Sequence, residues 1–164
     1  MTQDRRDRVR SLLGEQGLDA LLVTYLTNVR YLSGFSGSNG AVLVGRDPKD
    51  DRLITDFRYV TQAAAECPGL DVLVERAVDA GGAAHAVAGG ASRLGFEAAR
   101  MTVAAHESLR ARHRDLDLVP TEGVVEGLRT TKDDEELAHL AEACRISDSA
   151  LAATLPLVRV GMTE

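Results

Sequence analysis

Tryptophan is absent from this chain, and aromatic residues make up only 4% of its 164 positions. A core of stacked aromatic rings is thereby excluded. The interior has to be assembled from Leu, Val and Ala, within an ordinary hydrophobic fraction of 45%. Cys67 and Cys144 are the only cysteines and lie far apart. That excludes a disulfide framework and a zinc module, and leaves two reduced, half-buried thiols as the expectation. Lys49 and Lys132 are the only lysines, and the formal net charge is −6. Nucleic acid and anionic membranes need clustered cationic charge, so neither is an expected partner. No apolar run approaches the ~18 residues that span a bilayer. Met1–Arg6 carries charge with no apolar segment behind it, so it does not read as a secretory signal. A soluble cytoplasmic protein is expected, of a length that suits one domain with a real core and a tail.

What is present is organised around residues 28–62. Ala41-Val42-Leu43-Val44, between Gly40 and Gly45, reads as a buried strand, and Leu53-Ile54-Thr55 as its hairpin partner. The polar segment from Gly45 to Asp51 joins them. Gly34, Gly37 and Gly40 recur every three residues before the first strand, in a loop that allows close backbone approach or positive φ. The spacing is not G-x-G-x-x-G, and a strand follows the glycines where a phosphate site needs a helix, so nucleotide binding is set aside.

Elsewhere, helices and strands alternate. A helix is predicted over 4–16, ended by Gly17, then a strand over 18–23. Asn28 to Leu32 reads as a single helical turn. Phe57 to Glu66 reads as a helix with Val60, Ala63 and Ala64 inward, stopped by Pro68-Gly69. Strands are predicted over 70–74 and 92–97, with a weak Ala/Gly-rich helix over 77–90 between them. Thr102 caps a helix over 103–113 with Leu109 inward. Leu116 to Pro120 alternates like an edge strand. The fold class is α/β, a mixed β-sheet flanked by helices on both faces. Thr131 to Glu136 starts a long helix whose Leu137, Leu140, Ala141, Cys144, Asp148, Leu151 and Leu155 share one side, ending near Pro156. The organisation expected is a domain over 1–130 and a linking helix over 131–164.

The segment Asn28-Val29-Arg30-Tyr31-Leu32-Ser33-Gly34-Phe35-Ser36-Gly37-Ser38-Asn39-Gly40, followed by a strand and Leu53-Ile54-Thr55-Asp56-Phe57-Arg58-Tyr59, resembles the amino-terminal domain of the creatinase and prolidase family. The Xaa-Pro dipeptidase and aminopeptidase P branch is the nearest. Gly127 to Glu136 resembles that family's entry to the linking helix, and Val158 to Glu164 the opening of its pita-bread catalytic domain. The resemblance implies a ribonuclease H-like fold and a non-catalytic role: shaping substrate access and subunit contacts in a metal-dependent Xaa-Pro peptidase. It places two divalent metals, of manganese or cobalt type, in a catalytic domain beyond this chain. No catalytic residue, metal ligand or cofactor is expected here, and the chain alone is expected to be inactive. The implied partners are its own catalytic domain, a second subunit in a homodimer, and a peptide substrate. A peptide- or protein-binding module on the same scaffold and a creatinase-like amidinohydrolase stay open as alternatives.

The candidate substrate-rim residues are Phe35, Ser36, Asn39, Asp56, Arg58 and Tyr59. Phe35 is expected at the tip of the glycine-rich loop. Asp56 and Arg58, two apart on an extended segment, would share a face. Their plainer reading is a structural ion pair. His85, His106, His113 and His139 lack ligand spacing, and surface positions are expected for them. Ser36 and Ser38 have no neighbouring His to activate a hydroxyl.

Overall fold

The computed structural model describes residues 2–163. β1 (Ala20–Val23) and β2 (Gly40–Gly45) are buried at every position. Strands of that kind need cover on both sides. They sit at the centre of a six-stranded sheet of order β4-β3-β2-β1-β5-β6. Its other members are β3 (Arg52–Thr55), β4 (Asp71–Val74), β5 (Arg93–Glu97) and β6 (Asp117–Thr121). β2 is antiparallel to both its neighbours, and the remaining pairs are parallel.

Side-chain alternation divides the interior in two. Leu21, Val23, Val42, Val44 and Leu53 point to one face. There they meet Val9 and Leu13 of α1 (Thr2–Gln16), Val29 and Leu32 of α2 (Leu26–Ser33), Ala63 of α3 (Val60–Glu66) and Val125 of α6 (Val124–Thr130). Ala20, Leu22, Ala41, Leu43, Ile54 and Leu94 point to the other face. They meet Ala83 and Ala86 of α4 (Val78–Ala88) and Leu109 of α5 (Val103–Arg112). The Ala/Gly-rich composition of α4 has a packing reason: a Cβ on Gly82 would lie 2.5 Å from Leu22 Cδ1. Thr102 caps α5 by accepting from the Ala105 N–H.

The mixed sheet with helices on both faces is the architecture expected from the sequence, with three local corrections. The segment around Asn28 forms two helical turns, not one. Val60 and Ala64 of α3 are exposed; Ala63 and Cys67 carry its inward face. The preceding Phe57–Tyr59 stretch is a 3₁₀ turn, and about three residues per turn displaces Val60 from the stripe. Neither thiol is half-buried, since Cys67 is buried and Cys144 exposed.

The chain separates into two compact units, one ending at Arg129 and one beginning at Thr130. The second is built on α7 (Asp134–Thr154), where Asp133 and Glu136 close a capping box. A 3₁₀ turn over Leu155–Leu157, containing Pro156, follows it. Leu137, Leu140, Cys144, Leu151 and Leu155 are exposed. Among the described residues no helix is long and apolar enough to cross a membrane.

In the first unit, the loop between β2 and β3 is anchored by a buried carboxylate. Asp51 accepts from Arg6 Nε at 2.9 Å, from Arg10 Nη1 at 3.0 Å and from the Gly45 N–H at 3.1 Å. Both side chains of the Arg6–Asp51 pair are almost wholly buried. Removing one member leaves an uncompensated buried charge. Asp51→Ala should therefore lower stability by about 3 kcal/mol, far more than an exposed pair would. Urea unfolding checks this, and a loss within the range of an exposed pair would show the cluster to be solvated.

Candidate functional site

The sheet brings the glycine-rich loop and the turn after β3 to one end. Gly34 ends α2 with φ of 87°, its N–H bonded to Arg30 O at 2.8 Å. That left-handed conformation is why glycine stands there. Phe35 then turns inward and is 1% exposed. Its ring packs edge-on against Tyr59, with centroids 5.7 Å apart. This corrects the expectation of an exposed aromatic at the loop tip. The glycines that follow make room for the Phe35 ring. A Cβ on Gly40 would come within 2.8 Å of Phe35 Cε1, and one on Gly37 would strike the Phe35 and Tyr59 rings.

Hydrogen bonds fasten the loop at Ser36, Ser38 and Asn39. Glu66, at the end of α3, accepts from the Ser36 N–H at 2.8 Å and the Ser36 hydroxyl at 2.7 Å. Gln62, one turn earlier, donates to Ser36 Oγ and to Glu66. These bonds hold the Glu66 carboxyl below its usual range. Ser38 Oγ and Tyr59 Oη lie 2.6 Å apart, and that hydrogen bond lowers the Tyr59 phenol. Neither Gln62 nor Glu66 was a candidate from the sequence. Their i, i+4 spacing on one helix was the available signal, but nothing in the sequence says which loop that face meets.

Asp56 is the centre of the site. It stands at the N-cap of the 3₁₀ turn over Phe57–Tyr59, where the expected extended segment is replaced. Its carboxylate accepts from the Arg58 N–H at 3.0 Å, Arg58 Nε at 2.9 Å, Arg58 Nη2 at 2.7 Å and Asn39 Nδ2 at 2.6 Å. The Arg58 guanidinium, followed by the Asn39 amide, holds the Asp56 carboxyl far below the ordinary range. Arg58 is raised in turn by Asp56, and its side chain remains 58% exposed. The structure thus brings Ser36, Asn39, Asp56, Arg58 and Tyr59 together, with Phe35 as the plug beneath them. Phe57, which the sequence did not single out, is 78% exposed.

A second polar cluster lies at the C-terminal end of β5. Glu97 accepts from the Thr24 N–H at 2.7 Å, the Tyr25 N–H at 2.8 Å and Asn28 Nδ2 at 2.7 Å. Asn28 also donates to Glu126 and accepts from Arg129. A cavity of about 420 Å³ adjoins Glu97, Arg100 and Glu126. Every bond in this cluster closes within the domain, and it secures the start of α2. His106 leans against the Phe96 ring, and His85, His106 and His113 are part-buried while His139 is exposed. Among the described residues no three of His, Cys, Asp and Glu gather as metal ligands would. The donors present do not fit the dinuclear centre that the resemblance implies.

The family described as Creatinase/Prolidase N-terminal domain matches residues 5–131. The chain belongs to the creatinase/prolidase family. The uncharacterized peptidase YqhT of Bacillus subtilis (strain 168) is 37% identical over 159 residues, which are 96% of this chain and 44% of that protein. Among solved structures, the Xaa-Pro dipeptidase from Bacillus anthracis superposes with a TM-score of 0.91 at 33% identity. It covers 100% of this chain, which corresponds to 46% of that one. The N-terminal domain of cytoplasmic peptidase PepQ from Mycobacterium tuberculosis H37Rv is 46% identical with a TM-score of 0.73, covering 76% of this chain and 98% of that one. This creatinase/prolidase chain therefore spans less than half the length of YqhT.

Two outcomes follow from the geometry. Phe35→Ala should cost about 3–5 kcal/mol, as for a filled core aromatic. A melt that leaves stability within about 1 kcal/mol would return Phe35 to the surface. Asp56→Asn tests the ion pair through pH. A carboxylate held low in the folded state contributes stability above its ordinary value of 3.8, and that contribution fades as pH falls toward the folded value. Wild type should thus exceed Asp56→Asn in Tm at neutral pH, and the gap should narrow below about pH 4. A gap independent of pH would mean the charge is irrelevant.

Proposed function

We propose that this chain is the non-catalytic N-terminal domain of a metal-dependent Xaa-Pro peptidase of the prolidase or aminopeptidase P type. The observation that carries the reading is one of extent. The whole chain superposes on less than half of a Xaa-Pro dipeptidase, while the PepQ N-terminal domain is matched over nearly its full length. On this reading the domain boundary lies near residue 130, and the unit from Thr130 onward links to a catalytic domain. The two metals, of manganese or cobalt type, belong to that domain, where they would bridge a water and polarise the scissile carbonyl. The exposed leucines of α7 suit burial against that further part, since an apolar stripe of this length is unfavourable in water.

Within this reading the domain shapes the substrate entrance and contributes to a homodimer. The ordered turn carrying Asp56, Arg58 and Tyr59, with Ser36 and Asn39 beside it, is the rim. Arg58 is its binding group: Nε and Nη2 are committed to Asp56, which leaves the Nη1 donors for a peptide carboxylate. A cytoplasmic setting is supported by the description of PepQ. The test compares this chain with the full-length gene product on Ala-Pro and longer Xaa-Pro peptides, with manganese, cobalt or zinc added. The full-length product should turn them over and the chain alone should not. Turnover by the chain alone, scaling with its concentration through repurification, would overturn the assignment.

A further inference from the structure

The two edges of the sheet are finished differently. β6 forms one of them. Its Asp117 N–H bonds to Ser92 O at 2.8 Å, and its Thr121 O accepts from the Ala98 N–H at 3.0 Å. The backbone groups of Asp117, Val119 and Thr121 therefore turn toward β5. Pro120 stands at an outward position, where it has no N–H to offer another strand. β4 forms the other edge. The Glu75 N–H bonds to Thr55 O at 2.8 Å, which turns the backbone groups of Leu73 and Glu75 toward β3. Val72 and Val74 consequently aim both N–H and C=O away from the sheet. Neither outward position of β4 carries a proline or a charge, and Val74 is 48% exposed. An edge of this kind is a template for a further strand.

We infer that β4 pairs antiparallel with β4 of a second copy of this chain, about a twofold axis at Leu73, joining two six-stranded sheets into one. A contact of this symmetry requires a patch that fits itself. The open edge has that property, because Val72 and Val74 lie one residue to either side of the axis. Each Val72 exchanges both backbone bonds with Val74 of the second copy. Val72 packs against the core on the α1 and α3 side, and Val74 shares that side by the strand's period of two. The pairing thus sets a β-branched side chain directly opposite each exposed Val74. Leu73, which packs on the α4 side, meets Leu73 of the second copy at about 4.5 Å between Cα atoms. The same register sets Asp71 opposite Glu75 of the second copy, and like charges directly opposite are destabilising. The association is therefore weak and concentration-dependent. It supplies a surface for the homodimer proposed above, yet its support lies in β4 alone.

The experiment measures amide hydrogen exchange of the isotope-labelled 164-residue chain over a range of protein concentrations, with sedimentation alongside. The Leu73 and Glu75 amides, bonded within the sheet, should exchange slowly at every concentration. The Val72 and Val74 amides should slow about tenfold as the chain associates. Val74→Pro removes an outward donor from each copy and leaves the bonds to β3 in place, so it should weaken association about tenfold. Glu75→Gln removes the like-charge opposition on both sides of the axis and should strengthen association about threefold. A gain of this kind cannot come from misfolding, so it decides the matter if Val74→Pro fails to fold. Exchange at Val72 and Val74 that does not change with concentration would overturn the pairing. So would association whose protection falls on α7 alone, or a Glu75→Gln chain that associates no better than wild type. Each of these results leaves the peptidase assignment standing, because that assignment is tested by turnover.

Discussion

Burial of β1 and β2 on both faces is the constraint from which the rest of the first unit follows. A strand such as Ala20–Val23 has no face to offer water, so each side of the sheet must carry its own layer. The layers differ in character. α1, α2, α3 and α6 bring branched aliphatic side chains to one side. α4 brings mainly alanine and glycine to the other, and lies close because Leu22 fills the space a Gly82 side chain would need. With so few aromatics, close approach of small residues supplies the packing density that large rings supply elsewhere.

The site is a consequence of that sheet. β2 and β3 are antiparallel, with Gly40 opposite Thr55. The residue before one strand and the residue after the other therefore emerge side by side. Asn39 and Asp56 are those two residues, and their bond is 2.6 Å long. Thr55 adds a second tie, donating its hydroxyl to Asn39 O. The 3₁₀ turn then begins at Asp56, because a carboxylate at an N-cap satisfies a backbone donor of the turn it opens. Asp56 holds the turn twice, through the Arg58 N–H and through the Arg58 guanidinium.

Much of this was legible in the sequence. The runs Leu21–Val23 and Ala41–Val44 announce buried strands, Thr102 and Gly17 mark helix ends, and Pro120 marks an edge strand. That the loop before β2 meets the turn after β3 was legible too, since Asn39 bonds Asp56 and Ser38 bonds Tyr59. The orientation of Phe35 was not. Three glycines in seven residues read as freedom, but their missing Cβ atoms are the volume that the Phe35 ring occupies. Sequence spacing records that small residues are needed and is silent on which neighbour needs them. The same limit applies to Glu66: a carboxylate at the end of a short helix reads as solvated, and only the fold brings the Ser36 backbone to it.

A fixed rim and an adaptable one select ligands differently. A mobile loop closes over whatever stabilises its closed form, and the ordering cost is taken from the affinity of every ligand. Here the carboxylates of Glu66 and Asp56 hold the loop from opposite ends before any ligand arrives. Such a surface discriminates by mismatch. On the rim reading proposed above, a peptide that places its charge away from Arg58 gains nothing from rearrangement, because the ties that would have to break are charge-assisted hydrogen bonds. On the reading proposed above, this is a division of labour within one polypeptide. The metal-bearing part supplies the chemistry, and a preorganised α/β domain supplies a template that excludes peptides by length and terminal charge without itself moving. On that reading, the network around Asp56 is what keeps the template in place.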